Sequence, residues 1–349
     1  MVTIREVAAH AGVGAGTVSR VLNDSTQVSP ATRAKVLESI AVLQYRPNPL
    51  ARGLSRGRCQ TIGAIVPFFT QASAIERLRG VVSALDGSRY DLVLFDVETP
   101  EHRDEHVATL NRQRADGLLV ITLPLAPESI ERITATGMAV VLVDSDHDGV
   151  PAVVTDDQLG GRLATEHLIE LGHERIGFMG DAPDNPFGFT SSTRREEGYR
   201  AALADAGYAI DERIVLHGPH QRDVGTDLAR RMLAGDEPPT AIVCCSDVLA
   251  AGAVEAIRAS GRSVPEDVSV VGFDDIEMAT HLGLTTVRQP LFRSGELGAT
   301  LLLEALGANP PEPVVHELDL ELVIRTSTAP PGRPAVRHRR QRAATAARR

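Results

Sequence analysis

The first 43 residues alternate apolar and polar positions with the period of three short helices. In the first helix Ile4, Val7 and Ala8 form an apolar stripe, and Thr3 with Glu6 has the spacing of a capping box that begins the helix. A turn at Gly12 follows, and the second helix has an apolar stripe of Val18, Val21 and Leu22. The third helix begins at Ser29-Pro30, and its core positions are Val36, Leu37, Ile40 and Leu43. The pattern predicts a three-helix core.

Two helices around a glycine turn predict a helix-turn-helix, which lays its second helix in the DNA major groove. The apolar stripe of that second helix leaves one side free for the groove. The residues on this side are Ala15, Gly16, Thr17, Ser19 and Arg20. Use of the same motif for protein contacts stays open as an alternative.

From residue 61 onward, short apolar runs alternate with helical stretches, which is typical of βαβ units in a doubly wound parallel sheet. The predicted strands are Thr61–Val66, Leu92–Phe95, Gly117–Ile121, Val140–Val143, Ile176–Met179, Ile214–Leu216, Ala241–Cys245 and Val268–Val271. The predicted helices lie near 74–86, 101–113, 127–136, 157–171, 193–206, 223–233 and 247–260. Two such sets without a linker predict an α/β body of two lobes, with a ligand between the carboxyl ends of their strands.

Several short motifs at fixed spacing identify a family. The runs are T-I-R-E-V-A from Thr3, A-G-V from Ala11, T-V-S-R-V-L-N from Thr17, V-S-P-A-T-R from Val28, Y-R-P-N from Tyr45 and L-A-R-G-L from Leu50. Through them the chain resembles the lactose-repressor (LacI-type) family of bacterial transcriptional regulators as far as about Pro330. The resemblance implies a helix-turn-helix head on a bilobed body like that of periplasmic binding proteins, with chain crossovers near 156–160, 286–290 and 310–318.

The resemblance also sets the expected domain boundaries. They are a head at 1–46, a hinge at 47–60, a body at 61–328 divided into lobe 1 (about 61–157 and 288–312) and lobe 2 (about 158–287 and 313–328), and a disordered basic tail at 329–349. In the hinge, the family's minor-groove leucine corresponds to Leu54, and Ala51 lies where paired hinge helices touch. A plain flexible linker is the alternative for this segment.

Residue by residue, the resemblance assigns DNA contacts to Thr17, Ser19 and Arg20, while Ala15 and Gly16 take the two positions that usually choose the bases. Both are small, so hydrogen-bond readout there is poor and methyl or backbone contact remains. The side chains expected to position the head on phosphates are those of Thr3, Ser29, Tyr45 and Asn48.

For the cleft, Arg195 matches the arginine of the family's R-x-x-G-Y/F run, and Asp274 matches the aspartate of its G-Y/F-D-D loop. Arginine donors beside carboxylate acceptors suit a sugar, because each hydroxyl both donates and accepts a hydrogen bond. Further candidates are Ser246 and Asp247 at a strand end, Asp144 from the other lobe, and Phe187 and Phe189 as rings that stack on a sugar. Structural ion pairs or helix caps are the alternative for the polar residues, and lobe core for the rings.

Charge is unevenly distributed along the chain. The total is −10, but residues 1–58 hold eight Lys/Arg and three Asp/Glu, and residues 329–349 hold seven arginines, which leaves −22 on residues 59–328. A basic head can meet phosphate while an acidic body is repelled from it. The tail lacks the leucine repeat of a tetramerising coiled coil, so we expect a dimer.

Other classes of protein find little support. The sequence has no apolar run typical of a signal peptide or a membrane span, no metal-ligand motif, and three cysteines (Cys59, Cys244 and Cys245) without a C-x-x-C pair, so we expect a cytoplasmic protein without metal or cofactor. A G-x-S-x-G run at Gly53–Gly57 precedes a strand rather than following one, and so does not predict a hydrolase.

The expected function is that of a ligand-responsive repressor that binds a palindromic operator as a dimer and responds to a sugar. The alternatives are a sugar-binding protein that uses the same bilobed fold without DNA regulation, and a DNA-binding protein without a ligand.

Overall fold

The computed structural model describes residues 2–22, 25–45, 59–110 and 115–332. The head contains α1 (Ile4–Ala11), α2 (Ala15–Leu22) and α3 (Pro30–Val42). The elements of the first half of the body are β1 (Thr61–Pro67), α4 (Ala72–Leu85), β2 (Asp91–Val97), α5 (Pro100–Thr109), β3 (Gly117–Ile121), α6 (Pro127–Ala135), β4 (Ala139–Val143) and β5 (Ala152–Val154).

The second half of the body continues the same alternation. Its elements are α7 (Asp157–Glu170), β6 (Ile176–Asp181), α8 (Ser191–Asp205), β7 (Val215–Gly218), α9 (Arg222–Leu233), β8 (Ala241–Cys244), α10 (Asp247–Ala259), β9 (Ser269–Asp274), α11 (Glu277–Leu282), β10 (Thr285–Arg288), α12 (Leu291–Ala305), β11 (Val315–Glu317) and β12 (Glu321–Val323). A 3₁₀ turn at Glu212–Ile214 precedes β7. In the described parts of the chain, no helix is both long and apolar enough to cross a membrane.

The head begins as its sequence predicts. The Thr3 amide donates to Glu6 Oε2 at 2.7 Å and the Glu6 amide donates to Thr3 Oγ1 at 3.4 Å, which completes the capping box of α1. Gly12 ends that helix with φ +66°, a conformation that glycine adopts without steric cost. The buried residues of the three-helix core are Val7, Ala8, Val18, Val21 and Val36.

Leu37 does not belong to this core, in contrast to the prediction, because 51% of it is exposed. Adjacent residues of a helix point about 100° apart, so burial of Val36 turns Leu37 outward. The core position on the next turn of α3 is taken by Ile40, which packs partly buried against the cluster.

The body has two six-stranded sheets, which confirms the predicted fold class. Sheet 1 has the order β11-β5-β4-β3-β1-β2 and is parallel throughout. Sheet 2 has the order β12-β10-β9-β8-β6-β7, with only β12 antiparallel to its neighbour. Central strands such as β3 and β8 are buried along their whole length, because helices cover both faces of a parallel sheet.

The chain crosses between the lobes three times. The crossovers follow β5, β10 and β11, each through two or three residues. The third crossover, at residues 318–320, adjoins its expected range of 310–318, but β11 pairs with β5 in sheet 1, so lobe 1 extends to Glu317 rather than ending near residue 312. Each lobe is therefore built from two separate stretches of chain, and the first two connections contribute Thr155 and Gln289 to the walls of cavities between the lobes.

Candidate functional site

The second helix of the head presents its predicted contact face to solvent. Val18 and Val21 are buried, whereas Gly16 and Arg20 on the other side of α2 are exposed. Ala15, Thr17 and Ser19 are partly exposed. Arg20 and Gly16, which lie about one helical turn apart, thus share an exposed face of the second helix of the helix-turn-helix.

The predicted phosphate-contacting residues of the head have different surroundings. Thr3 and Ser29 are exposed, and each caps a helix by accepting a backbone amide. Tyr45 packs partly buried against the head core. Asn48, Ala51 and Leu54 lie outside the described residues, as do most of the predicted hinge and the tail from residue 333.

Between the lobes, four side chains follow strand ends in an unusual backbone conformation. Phe68, Thr122 and Asp144 come directly after β1, β3 and β4, and Asp274 ends β9. Their φ angles are +47°, +59°, +65° and +112°. Positive φ is costly for residues with a Cβ, most of all for a β-branched residue such as threonine, and such strain clusters at functional sites. All four residues line one cavity.

Arg195 is held at the floor of this cleft by lobe 2. It is 6% exposed, its Nε donates to Asp157 Oδ1 at 2.7 Å and its Nη1 donates to the Cys245 carbonyl oxygen at 2.6 Å. Its guanidinium carbon lies 3.7 Å from the centroid of the Phe273 ring. A guanidinium carries five N–H donors, so Arg195 keeps donors for a ligand while its plane stays fixed.

Asp274 lies close to Arg195 and joins it to a second buried network. Its Oδ1 is 3.9 Å from Arg195 Nη1 and accepts from Gln289 Nε2 at 2.7 Å. Gln289 Oε1 accepts from Arg77 Nη2 at 3.2 Å, and the same Arg77 nitrogen pairs with Asp144 Oδ2 at 2.9 Å. The network therefore runs from lobe 1, through Gln289 in the second crossover, to lobe 2.

Burial and pairing set the charges in this cleft. Burial raises the pKa of Asp274 and of Asp157, and the positive charge of Arg195 opposes the increase in both. For His220, burial works against the charged imidazole, but the hydrogen bond and charge of Asp181, 3.2 Å away, outweigh it and raise the pKa. The carboxylates of Asp144, Asp157, Asp181 and Asp274 thus each lie beside a cationic side chain.

Ser246 and Asp247 do not line the cleft cavities, in contrast to the prediction. Ser246 Oγ accepts the Leu249 amide and so caps α10. Asp247, which is fully buried, accepts from the Ile276 amide and the Thr286 hydroxyl, and burial, with the charge of Asp274, raises its pKa to about 8. Ser246 thus caps α10, and Asp247 holds the loop after β9 in place.

The two phenylalanines of the loop before α8 have separate roles. Phe187 is buried in the core of lobe 1, 5.3 Å from Phe68 in an edge-to-face contact, and lines neither cavity, which agrees with the alternative of lobe core rather than with a ring that stacks on a sugar. Phe189 lies on the cavity wall and stacks on Phe187 at 5.2 Å. The loop belongs to lobe 2 but anchors in lobe 1.

The cleft contains two adjoining cavities. One, the Arg77 compartment, measures about 120 Å³ and is lined by Arg77, Arg195, His220 and Asp274. The other, the Ser145 compartment, measures about 260 Å³ and is lined by Ser145, Asp146, Asp157 and Arg194. The residues common to both walls are Thr122, Asp144, Phe189 and Ser191.

Sequence reasoning missed three residues of this network: Arg77, Asp157 and Gln289. A signal existed for Arg77, because it occupies the apolar face of α4 between Ala74 and Val81, and a cation there needs a partner. Asp157 begins a helix directly after a crossover, and its pairing with Arg195 depends on a contact 38 residues away in sequence. Across the described ranges, no group of three His, Cys, Asp or Glu side chains could hold a metal ion.

Comparison with known proteins identifies both parts of the chain. Residues 3–48 match the family described as bacterial regulatory proteins, lacI family, and residues 165–328 match the periplasmic binding protein-like domain. The HTH-type transcriptional repressor PurR of Pasteurella multocida is 34% identical over 333 residues, which cover 94% of this chain and 98% of that protein.

Two solved structures cover the same extent. The complex of the transcriptional regulator CelR with cellobiose has 34% identity and a TM-score of 0.70, and covers 94% of this chain and 100% of that one. The lac repressor dimer bound to operator and the anti-inducer ONPF has 28% identity and a TM-score of 0.79, over 94% and 99% of the two chains. The similarity therefore spans head and body together.

Proposed function

This chain belongs to the lacI family of bacterial regulatory proteins, and we propose that it is a cytoplasmic repressor whose operator affinity is set by a small neutral sugar. One observation carries the proposal. The same chain contains a helix-turn-helix with an exposed arginine and a cleft lined by paired, buried charges. It regulates by binding and not by catalysis.

A neutral polyhydroxylated effector fits the electrostatics of the cleft. Arg77 pairs with Asp144, Arg195 with Asp157, and His220 approaches Asp181. A charged ligand would leave one member of these pairs uncompensated in a buried site, which costs several kcal/mol (about 3–5). Hydroxyl groups can donate to the carboxylates and accept from the guanidinium groups at once. The cellobiose held by CelR supports the same class of ligand.

Operator binding as a dimer is supported by symmetry and by an exposed apolar surface. One short recognition helix reads few base pairs, and two-fold pairing doubles the site. Ile75 and Val82 on the outer face of α4 are 44% and 57% exposed and form a groove with Phe69 and Phe292. We assign this groove to a second copy of the chain, and the dimeric state of the lac repressor on its operator supports a pair of chains.

The test is operator binding with and without effectors. DNA fragments selected by the protein from its own genome supply the operator, and fluorescence anisotropy measures affinity alone, with neutral mono- and disaccharides, and with sugar phosphates as a charged contrast. We expect one neutral sugar to lower operator affinity at least tenfold. Operator binding unchanged by every ligand, or changed only by sugar phosphates, would contradict the proposal.

Arg20→Ala separates the two functions of the chain. Loss of this exposed cation should weaken operator binding strongly and leave sugar binding unchanged, because Arg20 lies in the head. If Arg20→Ala bound the operator as wild type does, the alternative of a sugar-binding protein without DNA regulation would be favoured.

A further inference from the structure

The two compartments of the cleft differ in their walls and meet at a waist. Phe189 and Asp144 stand at this waist, with Thr122 and Ser191, and contribute to both walls. Pockets that hold small-molecule ligands commonly measure about 300–1,000 Å³. Neither compartment reaches that range alone, whereas the two together exceed its lower end.

Each compartment is also lined by one residue that has a buried polar atom without a hydrogen bond. Among the described residues, three buried side-chain polar atoms have no partner, and two of them belong to residues on these walls: Arg77 Nε and Ser145 Oγ. Native proteins leave few such atoms, because an unpaired buried donor or acceptor costs about 1–3 kcal/mol. A ligand that contacts both residues has to extend through the waist.

The Ser145 compartment has the surface of a sugar site. One part of its wall is apolar, with Leu125, Ile130 and Leu142, and the other part is polar, with Ser145, Asp146 and Arg194. A sugar ring has C–H faces that pack on apolar surface and hydroxyl edges that need donors and acceptors. The Phe189 ring at the waist is backed by Phe187 and offers a flat surface between the two compartments.

We propose that the effector is a disaccharide, with one sugar unit in the Arg77 compartment and the second in the Ser145 compartment. Ser145 and Arg194 bind the second unit and so favour a disaccharide over a monosaccharide. This inference rests on the proposed function, since it names the size of the neutral sugar that the same cleft binds. Arg195 and Asp274 hold the first unit, and the glycosidic bond crosses the waist beside Phe189.

The test is calorimetry of the full chain with matched pairs of sugars. Glucose is compared with cellobiose and maltose, galactose with lactose, mannose with mannobiose, and xylose with xylobiose. At least one disaccharide should bind tenfold or more tightly than its own monosaccharide. Ser145→Ala and Arg194→Gln should each weaken binding of that disaccharide at least fivefold and leave the weaker binding of its monosaccharide unchanged.

The controls separate this inference from the proposed function. Arg132→Gln removes an exposed arginine on α6 and should change neither affinity. Arg194 is exposed, so its variant tests the compartment even if Ser145→Ala folds poorly. A monosaccharide that binds as tightly as every disaccharide, or variants that weaken both sizes equally, would overturn the disaccharide inference alone. Absence of binding by every sugar would overturn the sugar effector itself.

Discussion

Apart from the exposed Asp146 and Arg194, the charged side chains that line the cleft lie in pairs, and the pair of His220 with Asp181 is the one with the titratable imidazole. His220 follows β7 and its Nδ1 lies 3.2 Å from Asp181 Oδ1, with about a quarter of each side chain exposed. Because the pKa of His220 is raised in the folded state, the protonated imidazole stabilises the fold. That stabilisation is complete below the unfolded pKa of about 6.5 and is lost as the pH rises through the folded value.

Asp181→Asn should lower the pKa of His220, because the neutral amide keeps a hydrogen-bond partner but removes the negative charge. An NMR titration of the imidazole should give a pKa above 6.5 in the wild type and a lower one in the variant. Asp227→Asn removes an exposed carboxylate that pairs with Arg230 and serves as the control. An unchanged titration of His220 in Asp181→Asn would show that the pair does not form in solution.

Single residues differ in how well a sequence alone can assign them. Arg195 and Asp274 are recognised from local motifs, and both lie on the cavity wall, although effector binding by them stays a prediction. Ser246 and Asp247 also lie at a strand end, but their hydroxyl and carboxylate are used by the backbone of α10 and of the next loop. Which partner such a side chain takes depends on packing that sequence spacing does not report.

At the scale of elements, the packing of α7 against α8 positions the site. Gly161 of α7 faces the backbone of Arg195, and Gly198 of α8 faces the backbone of Gln158. A Cβ at Gly161 would overlap the carbonyl oxygen of Arg195. The two glycines therefore let the helices approach closely enough for Asp157 and Arg195 to pair.

Gly161→Ala should separate the two helices and displace Arg195 from Asp157. We expect thermal or chemical denaturation to show a loss of about 1–3 kcal/mol, as for overpacked interiors, and calorimetry to show at least tenfold weaker effector binding. Gly235→Ala, where an added Cβ meets only an ordinary contact with the Met232 carbonyl oxygen, is the matched control. Wild-type effector affinity in Gly161→Ala would contradict this role of the helix contact.

Elements of strong periodicity are predictable, and the short ones at the crossovers are not. The eight predicted strands correspond to eight of the observed twelve, within a few residues at their ends. The missed strands β5, β10, β11 and β12 are three or four residues long, too short for a hydrophobic pattern to stand out. Because β11 is one of them, the division of the C-terminal segment between the lobes could not be placed from sequence.

The loop between β6 and α8 links the lobes through Phe187. This residue of lobe 2 is 7% exposed because it packs into the core of lobe 1. Asn185 stiffens the loop by two hydrogen bonds to the backbone of Phe189, each 2.9 Å. Burial of a phenylalanine contributes about 1.5–3 kcal/mol, and here the contribution depends on the contact between the two lobes at this loop.

Phe187→Ala should therefore shift the empty protein toward an open arrangement. Small-angle scattering should show a larger radius of gyration without effector and the wild-type value at saturation. The apparent effector Kd should rise about tenfold, because only the closed fraction binds. Phe187→Leu keeps most of the apolar contact and should lie close to wild type. Equal radii of gyration for the effector-free wild type and Phe187→Ala would show that Phe187 does not hold the two lobes together.

On the scale of the whole molecule, the distribution of charge separates the head from the body, and the chain connections couple the two lobes of the body. Residues 1–58 carry a net +5, residues 59–328 a net −22 and residues 329–349 seven arginines without an acid, so electrostatic attraction to DNA is expected of the head and the tail but not of the body. Three short crossovers connect the lobes, and Gln289 in one of them bonds to Arg77 of lobe 1 and to Asp274 of lobe 2. A ligand that engages this network acts on the angle between the lobes.

Effector and operator should consequently be coupled in both directions. In a dimer, a change in lobe angle moves the two chains that lead to the heads together or apart, so operator affinity depends on occupancy of the cleft. By linkage, the factor by which the effector changes operator affinity equals the factor by which the operator changes effector affinity. We expect release by the sugar, with a factor of about 5–150, the range of typical coupling energies.

Titration of the effector into the free protein and into the protein–operator complex measures this factor directly. The effector should bind the complex more weakly than the free protein, by the same ratio that anisotropy gives for operator binding with and without effector. Asp274→Asn should shift both effector titrations to higher concentration and leave operator affinity without effector unchanged, since Asp274 lies in the body. Equal effector affinities for free and operator-bound protein would mean that the cleft does not regulate DNA binding.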